Sequence, residues 1–185
     1  ERKDVLSVLL VIGVVNAVNM ISEHNGVIIA DSVGLGKSFI GAAVIEEYIR
    51  GKYPTWDPNS NGYNKPRKAL LILPPSLIPQ WEHLLFKSGY FFSGDLAAVK
   101  TSSDDKFVTY DILKNTPEGY RRIGGVSLLS LGIFSRMSEN DVYAQRLNEE
   151  YDLILIDEAH KFRNRWTNRW HNARALRFKK KDDPN

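Results

Sequence analysis

Asp31 to Ser38 reads DSVGLGKS and follows the apolar run Val27–Ala30. Gly34 and Gly36 carry no Cβ, so the backbone N–H groups of such a loop can turn inward onto an anion. A helix beginning near Lys37 adds the positive end of its dipole. In that arrangement Lys37 reaches terminal phosphates and the Ser38 hydroxyl meets a divalent cation. Far downstream, Leu153–Ile156 ends in Asp157-Glu158-Ala159-His160. A carboxylate at a strand end, Asp157, suits Mg²⁺ held through water. The next, Glu158, suits a water that must be oriented or deprotonated. A Gly-rich turn or an acidic loop alone signals little. A phosphate loop and an acid pair in one chain point together to ATP with Mg²⁺.

These motifs need a scaffold that delivers them at strand ends. Near-continuous apolar runs occur at Val27–Ala30, Ala69–Leu73, Val126–Ser130 and Leu153–Ile156. Continuity without alternation suits strands buried on both faces of a parallel sheet. Helical stretches are expected at Ser38–Arg50, Leu77–Phe86 and Val142–Glu150. Strand and helix in alternation give an α/β class: an open, mostly parallel sheet with helices on both faces. Ligands of such sheets bind beyond the carboxyl ends of the strands, where both motifs fall. Residues 51–66 are rich in Pro, Gly and Asn and read as a surface loop. Ser102–Tyr110 and Thr116–Gly125 read as less regular connections. The 185 residues are expected to form one domain.

The bulk properties exclude some chemistry. There is no cysteine, so disulfides and thiolate-bound metal are ruled out. The four histidines, His24, His83, His160 and His171, show no ligand spacing. Val5–Ile21 is almost wholly apolar, yet short of the ~20 residues that span a bilayer. Asn16, Asn19 and Glu23 mark one polar stripe on it, so a helix packed against the domain is expected rather than a membrane segment. The net charge of +3 is unevenly placed, because Lys161–Lys181 carries basic residues and no acid. That run suits a polyanion, and equally a solvated helix face. Trp166 and Trp170 lie one helical turn apart within it, placed for packing or for stacking on bases.

Four stretches, ADSVGLGKS (30–38), LILPPSLIPQWEHLL (71–85), SLLSLGIFSR (127–136) and LILIDEAHKFRN (153–164), resemble a known family. They are similar, in order, to motifs I, Ia, Ib and II of the Swi/Snf-type DNA translocases of helicase superfamily two. The wording is closest to bacterial and archaeal members, some linked to restriction or defence systems. The resemblance implies a RecA-like lobe in which Asp31, Gly34, Leu35, Gly36, Lys37 and Ser38 hold ATP. Ser38 and Asp157 would serve Mg²⁺, Glu158 the attacking water, and His160 the coupling to nucleic acid. Pro74, Ser76 and Ser130 would line a groove for the backbone of duplex DNA. Trp81 falls in the same stretch, where a core aromatic on an amphipathic helix is the simpler reading.

The resemblance also carries departures. Ser32 stands where the family usually has Glu, and no Gln precedes Gln80, whereas the superfamily often reads adenine with a Gln upstream of the loop. The family would continue past Asn185 to a Ser/Thr-Ala-Thr motif and a second RecA-like lobe carrying arginine fingers. The chain is therefore expected to be a lobe truncated before motif III, binding Mg·ATP weakly and turning it over little. Its expected setting is cytoplasmic, on the nucleoid in a bacterium, with a restriction, defence or transcription partner. The alternatives are a strand-separating helicase and a nucleotide-binding switch that does not hydrolyse.

Overall fold

The computed structural model describes residues 2–24, 26–29, 36–51, 66–102, 104–136, 147, 150–164, 166 and 172. The chain divides into two compact units. The first holds residues 1–67, 79–99 and 112–124; the second holds 68–78, 100–111 and 125–185. The α/β class is the one expected. Five strands, β1 (Arg67–Leu73), β2 (Leu96–Lys100), β3 (Phe107–Thr116), β4 (Gly119–Ser130) and β5 (Leu153–Ile156), form one sheet in the order β2-β3-β4-β1-β5. The sheet is mixed. β1 and β5 pair in parallel, with Ala69 opposite Leu153 and Ile72 opposite Ile156. β3 and β4 are neighbours joined by only Pro117 and Glu118, a connection that permits antiparallel pairing alone.

In the first unit, α1 (Arg2–His24) packs on α2 (Lys37–Arg50). Ala17 and Val18 of α1 are buried, and so are Ile40, Ala42, Val44, Ile45, Tyr48 and Ile49 of α2. Asn16, Asn19 and Glu23 are exposed, as the polar stripe requires. Val11, Ile12, Val15 and Met20 are exposed as well, so between Leu10 and His24 α1 leaves apolar side chains open beside its covered face. No helix among the described residues is long and apolar enough to cross a membrane. α2 ends at Gly51, whose φ of 72° lets its N–H donate to the Tyr48 carbonyl at 3.1 Å. Arg67 donates to the same carbonyl at 3.1 Å and lies over the Tyr48 ring, setting a cation at the negative end of the helix.

The second unit is built on β1, β5 and the inner half of β4. Leu70, Ile72, Leu129, Leu131, Phe134, Leu147 and Phe162 form its core. The Tyr151 hydroxyl bonds the Ser127 hydroxyl at 2.8 Å within this unit. Burial, which disfavours phenolate, pushes the Tyr151 phenol above its ordinary range, and the Ser127 bond only partly offsets this. Asp152 bonds Lys68 in both directions: its N–H donates to the Lys68 carbonyl and its carboxylate accepts from the Lys68 N–H. Those bonds fix where β5 begins beside β1.

Three sequence expectations change. Residues 26–29 form no strand, and Ile28 is 88% exposed. A four-residue apolar run reports a tendency to bury, whereas a strand also needs a ladder, and none forms here. The end of Ser102–Tyr110, from Phe107, is strand in β3, and Thr116–Gly125 is largely strand, in β3 and β4. Leu153–Ile156 is only half-buried, because β5 lies at the edge of the described sheet. The helix expected at Leu77–Phe86 is a continuous run. It opens as a 3-10 turn (Pro75–Leu77), becomes α3 (Ile78–Glu82) and ends π-helical (His83–Lys87). Trp81 is 3% exposed, a core aromatic. Leu147 and Glu150 are helical; the rest of 142–149 and the loop at 52–65 lie outside the described residues.

Candidate nucleotide and nucleic-acid sites

The first unit presents the end of the phosphate-loop motif. Gly36 precedes α2 with φ 84° and ψ 23°, a left-handed conformation natural to glycine. Its carbonyl accepts the first helical bond, from Ile40 N–H at 3.0 Å. A Cβ on Gly36 would meet Leu10 Cδ2 at 2.7 Å, a flexible side-chain end that can shift, so it is the left-handed backbone that favours glycine. Lys37 and Ser38 occupy the first turn of α2, which contains no acid to neutralise the helix dipole. Asp31, Gly34 and Leu35 lie outside the described residues.

The second unit carries the acid pair. Asp157 N–H donates to the Ile72 carbonyl at 2.9 Å, so the residue follows directly from the β1–β5 ladder. One Asp157 carboxylate oxygen accepts from Glu158 N–H at 2.8 Å. Glu158 has φ 58° and ψ 42°, and is one of two described non-glycine residues with positive φ. That conformation costs of order 1–3 kcal/mol and persists where the surrounding structure dictates it. Here the dictating feature is the following 3-10 turn, Ala159–Phe162. It is closed by Lys161 N–H to the Glu158 carbonyl and pinned by buried Phe162, whose ring lies 5.9 Å from that of Phe134. The Glu158 carboxylate lies 3.0 Å from His160 Nδ1.

A cleft of about 550 Å³ opens beyond the carboxyl ends of β1, β4 and β5. Pro74 and Pro75 follow β1, Leu131 and Gly132 follow β4, and His160, Lys161, Arg163 and Asn164 follow β5. Its polar wall is basic and comes from a single short segment, the beginning of the acid-free run. Of the groove residues nominated from sequence, Pro74 lines this cleft. Ser76 is exposed in the neighbouring 3-10 turn and is not part of the lining. Ser130 is 2% exposed and does not line it either: its hydroxyl accepts from Ile133 N–H at 3.3 Å and caps α4 (Leu131–Phe134). The cleft also takes in Pro75, Leu131, Gly132 and Asn164, which the sequence did not nominate. Lys161 and Arg163 were signalled only by the charge run. Trp166 is 87% exposed, and its N–H donates to the Asn164 side chain at 3.1 Å; Trp170 lies outside the described residues.

Among the described residues no three of His, Cys, Asp or Glu gather into a metal cluster. Asp157, in the second unit, offers one carboxylate. A lone carboxylate suits Mg²⁺, which keeps several waters and is completed by substrate phosphates rather than by a cage of side chains.

The SNF2-related domain matches residues 13–181, and the chain belongs to that family. It is a Swi/Snf-type member of helicase superfamily two. An uncharacterised ATP-dependent helicase, YqhH, of Bacillus subtilis (strain 168) is 27% identical over 162 residues, covering 86% of this chain and 23% of the relative. The DNA repair and recombination protein RAD54-like of Drosophila ananassae is 27% identical over 144 residues, covering 77% and 16%. The RNA polymerase-associated protein RapA of Pectobacterium carotovorum is 26% identical over 139 residues, covering 72% and 12%. The chain thus spans less than a quarter of the length of these relatives. No solved structure matches it significantly.

Proposed function

We propose that this chain is the ATP-binding lobe of a nucleic-acid-dependent ATPase that moves along duplex DNA and displaces bound protein. The observation that carries this reading is a juxtaposition in the second unit. The acid pair Asp157-Glu158 and the basic wall Lys161-Arg163 belong to one short turn, with His160 touching both Glu158 and the cleft. In the first unit Lys37 would pair with terminal phosphates and Ser38 would offer its hydroxyl to the ion; in the second, Asp157 would offer its carboxylate to the ion and Glu158 would orient the attacking water. Bound Mg²⁺ supplies neutralisation of phosphate charge. Lys161 and Arg163 bind phosphates of a nucleic-acid backbone, interactions that set position and affinity without reading sequence.

Family membership and the names of relatives, an ATP-dependent helicase and a DNA repair protein among them, support this reading. The name of a third, RNA polymerase-associated, makes a transcription complex a candidate partner. The word helicase keeps a strand-separating enzyme as the second reading. The test is ATP hydrolysis by the full-length protein with duplex DNA, single-stranded DNA and RNA added separately. Stimulation by duplex alone, without strand separation, supports translocation; stimulation by single strands moves the assignment to a helicase. Bound nucleotide with no turnover under any condition leaves a switch module.

A further inference from the structure

The first unit carries an aromatic cluster that the roles above do not use. Phe39 directly follows Ser38 in the first turn of α2, and it remains 38% exposed. The ring of Tyr90 meets it edge-on at 5.7 Å, and Phe91 lies 5.9 Å away on a tilted plane. Tyr90 is 71% exposed, a large aromatic surface left open to solvent.

The segment bearing Tyr90 and Phe91 is held in place rather than loosely draped. Glu46 of α2 accepts Phe92 N–H at 3.1 Å, and Arg50 of α2 donates to Asp95 at 2.9 Å and to the Ser93 carbonyl at 3.4 Å. Phe92 itself has φ 45°, and its ring packs on Phe86. The clamp keeps Tyr90 beside the first turn of the helix that presents Lys37 and Ser38.

We infer that Tyr90, backed by Phe39, is the stacking platform for the base of the bound nucleotide. This rests on the nucleotide-binding reading above and deepens it. A base linked through ribose to the α-phosphate must lie within a few ångströms of the phosphate loop, and the exposed aromatic faces begin one residue after Ser38. Stacking uses the π-face that every base possesses, so it needs no amide to read the base edge. Stacking on Tyr90 does not by itself tell one purine from another, so the platform's own contribution should be similar for ATP and GTP.

The test measures binding of Mg·ATP, Mg·GTP and magnesium tripolyphosphate to this chain by calorimetry, in wild type, Tyr90→Ala, Tyr90→Phe and Lys37→Ala. Tyr90→Ala is expected to weaken both nucleotides about tenfold, within the range that base–aromatic stacking gives on truncation. It should leave tripolyphosphate affinity unchanged, and Tyr90→Phe should bind nucleotides as wild type does. Unchanged nucleotide affinity in Tyr90→Ala overturns the platform. So does an equal loss for tripolyphosphate, which would report damage to the unit instead. The underlying phosphate-loop reading fails separately, through a Lys37→Ala variant that binds tripolyphosphate as well as wild type.

Discussion

His160 Nδ1 lies 3.0 Å from a carboxylate oxygen of Glu158, and His160 is also one of the residues lining the basic cleft. The acid proposed to act on water thus directly adjoins a residue that a bound polyanion would meet. Replacing Glu158 by Gln keeps the shape and hydrogen-bonding reach but removes the base. In the full-length protein we expect nucleotide to be retained and hydrolysis to fall by roughly 10²–10⁴. Steady-state turnover beside nucleotide binding checks this, and normal turnover removes Glu158 from the chemistry.

Lys37→Ala removes the cation at the first turn of α2 without touching the buried core. A charge-assisted hydrogen bond is worth about 1.5–3 kcal/mol, so Mg·ATP should bind about 10- to 100-fold more weakly. The melting temperature of the unliganded chain should stay nearly constant. Equal affinity in calorimetry would sink the phosphate-loop assignment.

Lys161→Ala combined with Arg163→Ala strips the polar wall of the cleft of its charge. Removing one phosphate-binding cation should lower the slope of log affinity against log salt by about 1, so the pair should lower it by about 2. The weakening should be uniform across DNA sequences. A salt titration of duplex binding reads it directly, and an unchanged slope excludes this cleft as a backbone site.

The Arg50–Asp95 pair makes an acid-linked prediction. The hydrogen bond from Arg50, helped by its charge, holds the Asp95 carboxyl below its usual range against a small opposing effect of burial. A carboxyl lowered in the fold stabilises it above the ordinary value of about 4, and that contribution disappears as pH falls through the lowered one. Asp95→Asn should therefore melt slightly earlier than wild type at neutral pH, and the difference should close as pH falls through the lowered value. The effect is small because the Asp95 carboxylate is about half exposed. A gap that persists at low pH would mean that Asp95 acts through packing rather than charge.

Gly124 stands in β4 where an added Cβ would meet the Arg67 carbonyl at 2.5 Å and two carbons of Ile49 at 3.0 Å. Backbone cannot step aside as a flexible side-chain end can. Gly124→Ala should destabilise by about 1–3 kcal/mol, read as an earlier urea midpoint. An unchanged midpoint would show that β4 has room to shift at this point.

The strongest chemical signals are legible in the sequence because they are local. GLGKS followed by apolar residues at helical spacing announces α2, and LILI before Asp157 announces β5 and its terminal acid. The cleft is not legible, since Pro74, Leu131 and Lys161 come from segments dozens of residues apart and only the β4-β1-β5 order assembles them. The serines nominated nearby illustrate the limit, for Ser130 serves as a helix cap. The β3–β4 hairpin is readable in principle. Val108, Tyr110 and Ile112 are buried at every second residue, and Pro117-Glu118-Gly119 marks the turn. That alternation is a fainter signal than the continuous apolar runs on either side of it, so Ser102–Tyr110 and Thr116–Gly125 read from sequence as less regular connections.

The clamp from Glu46 and Arg50 has a consequence for local opening. At 14 residues α2 spans about 21 Å, a length at which an isolated helix is marginal in water. The segment from Tyr90 to Asp95 lies along it like a splint, touching Phe39 near one end and Arg50 at the other. Helix and splint should fray together, so the Phe92 amide and those in the second half of α2 should exchange with deuterium at matched rates. Cutting the splint at Arg50 would then loosen the far end of the same helix, which bears Lys37, the residue proposed to meet phosphate.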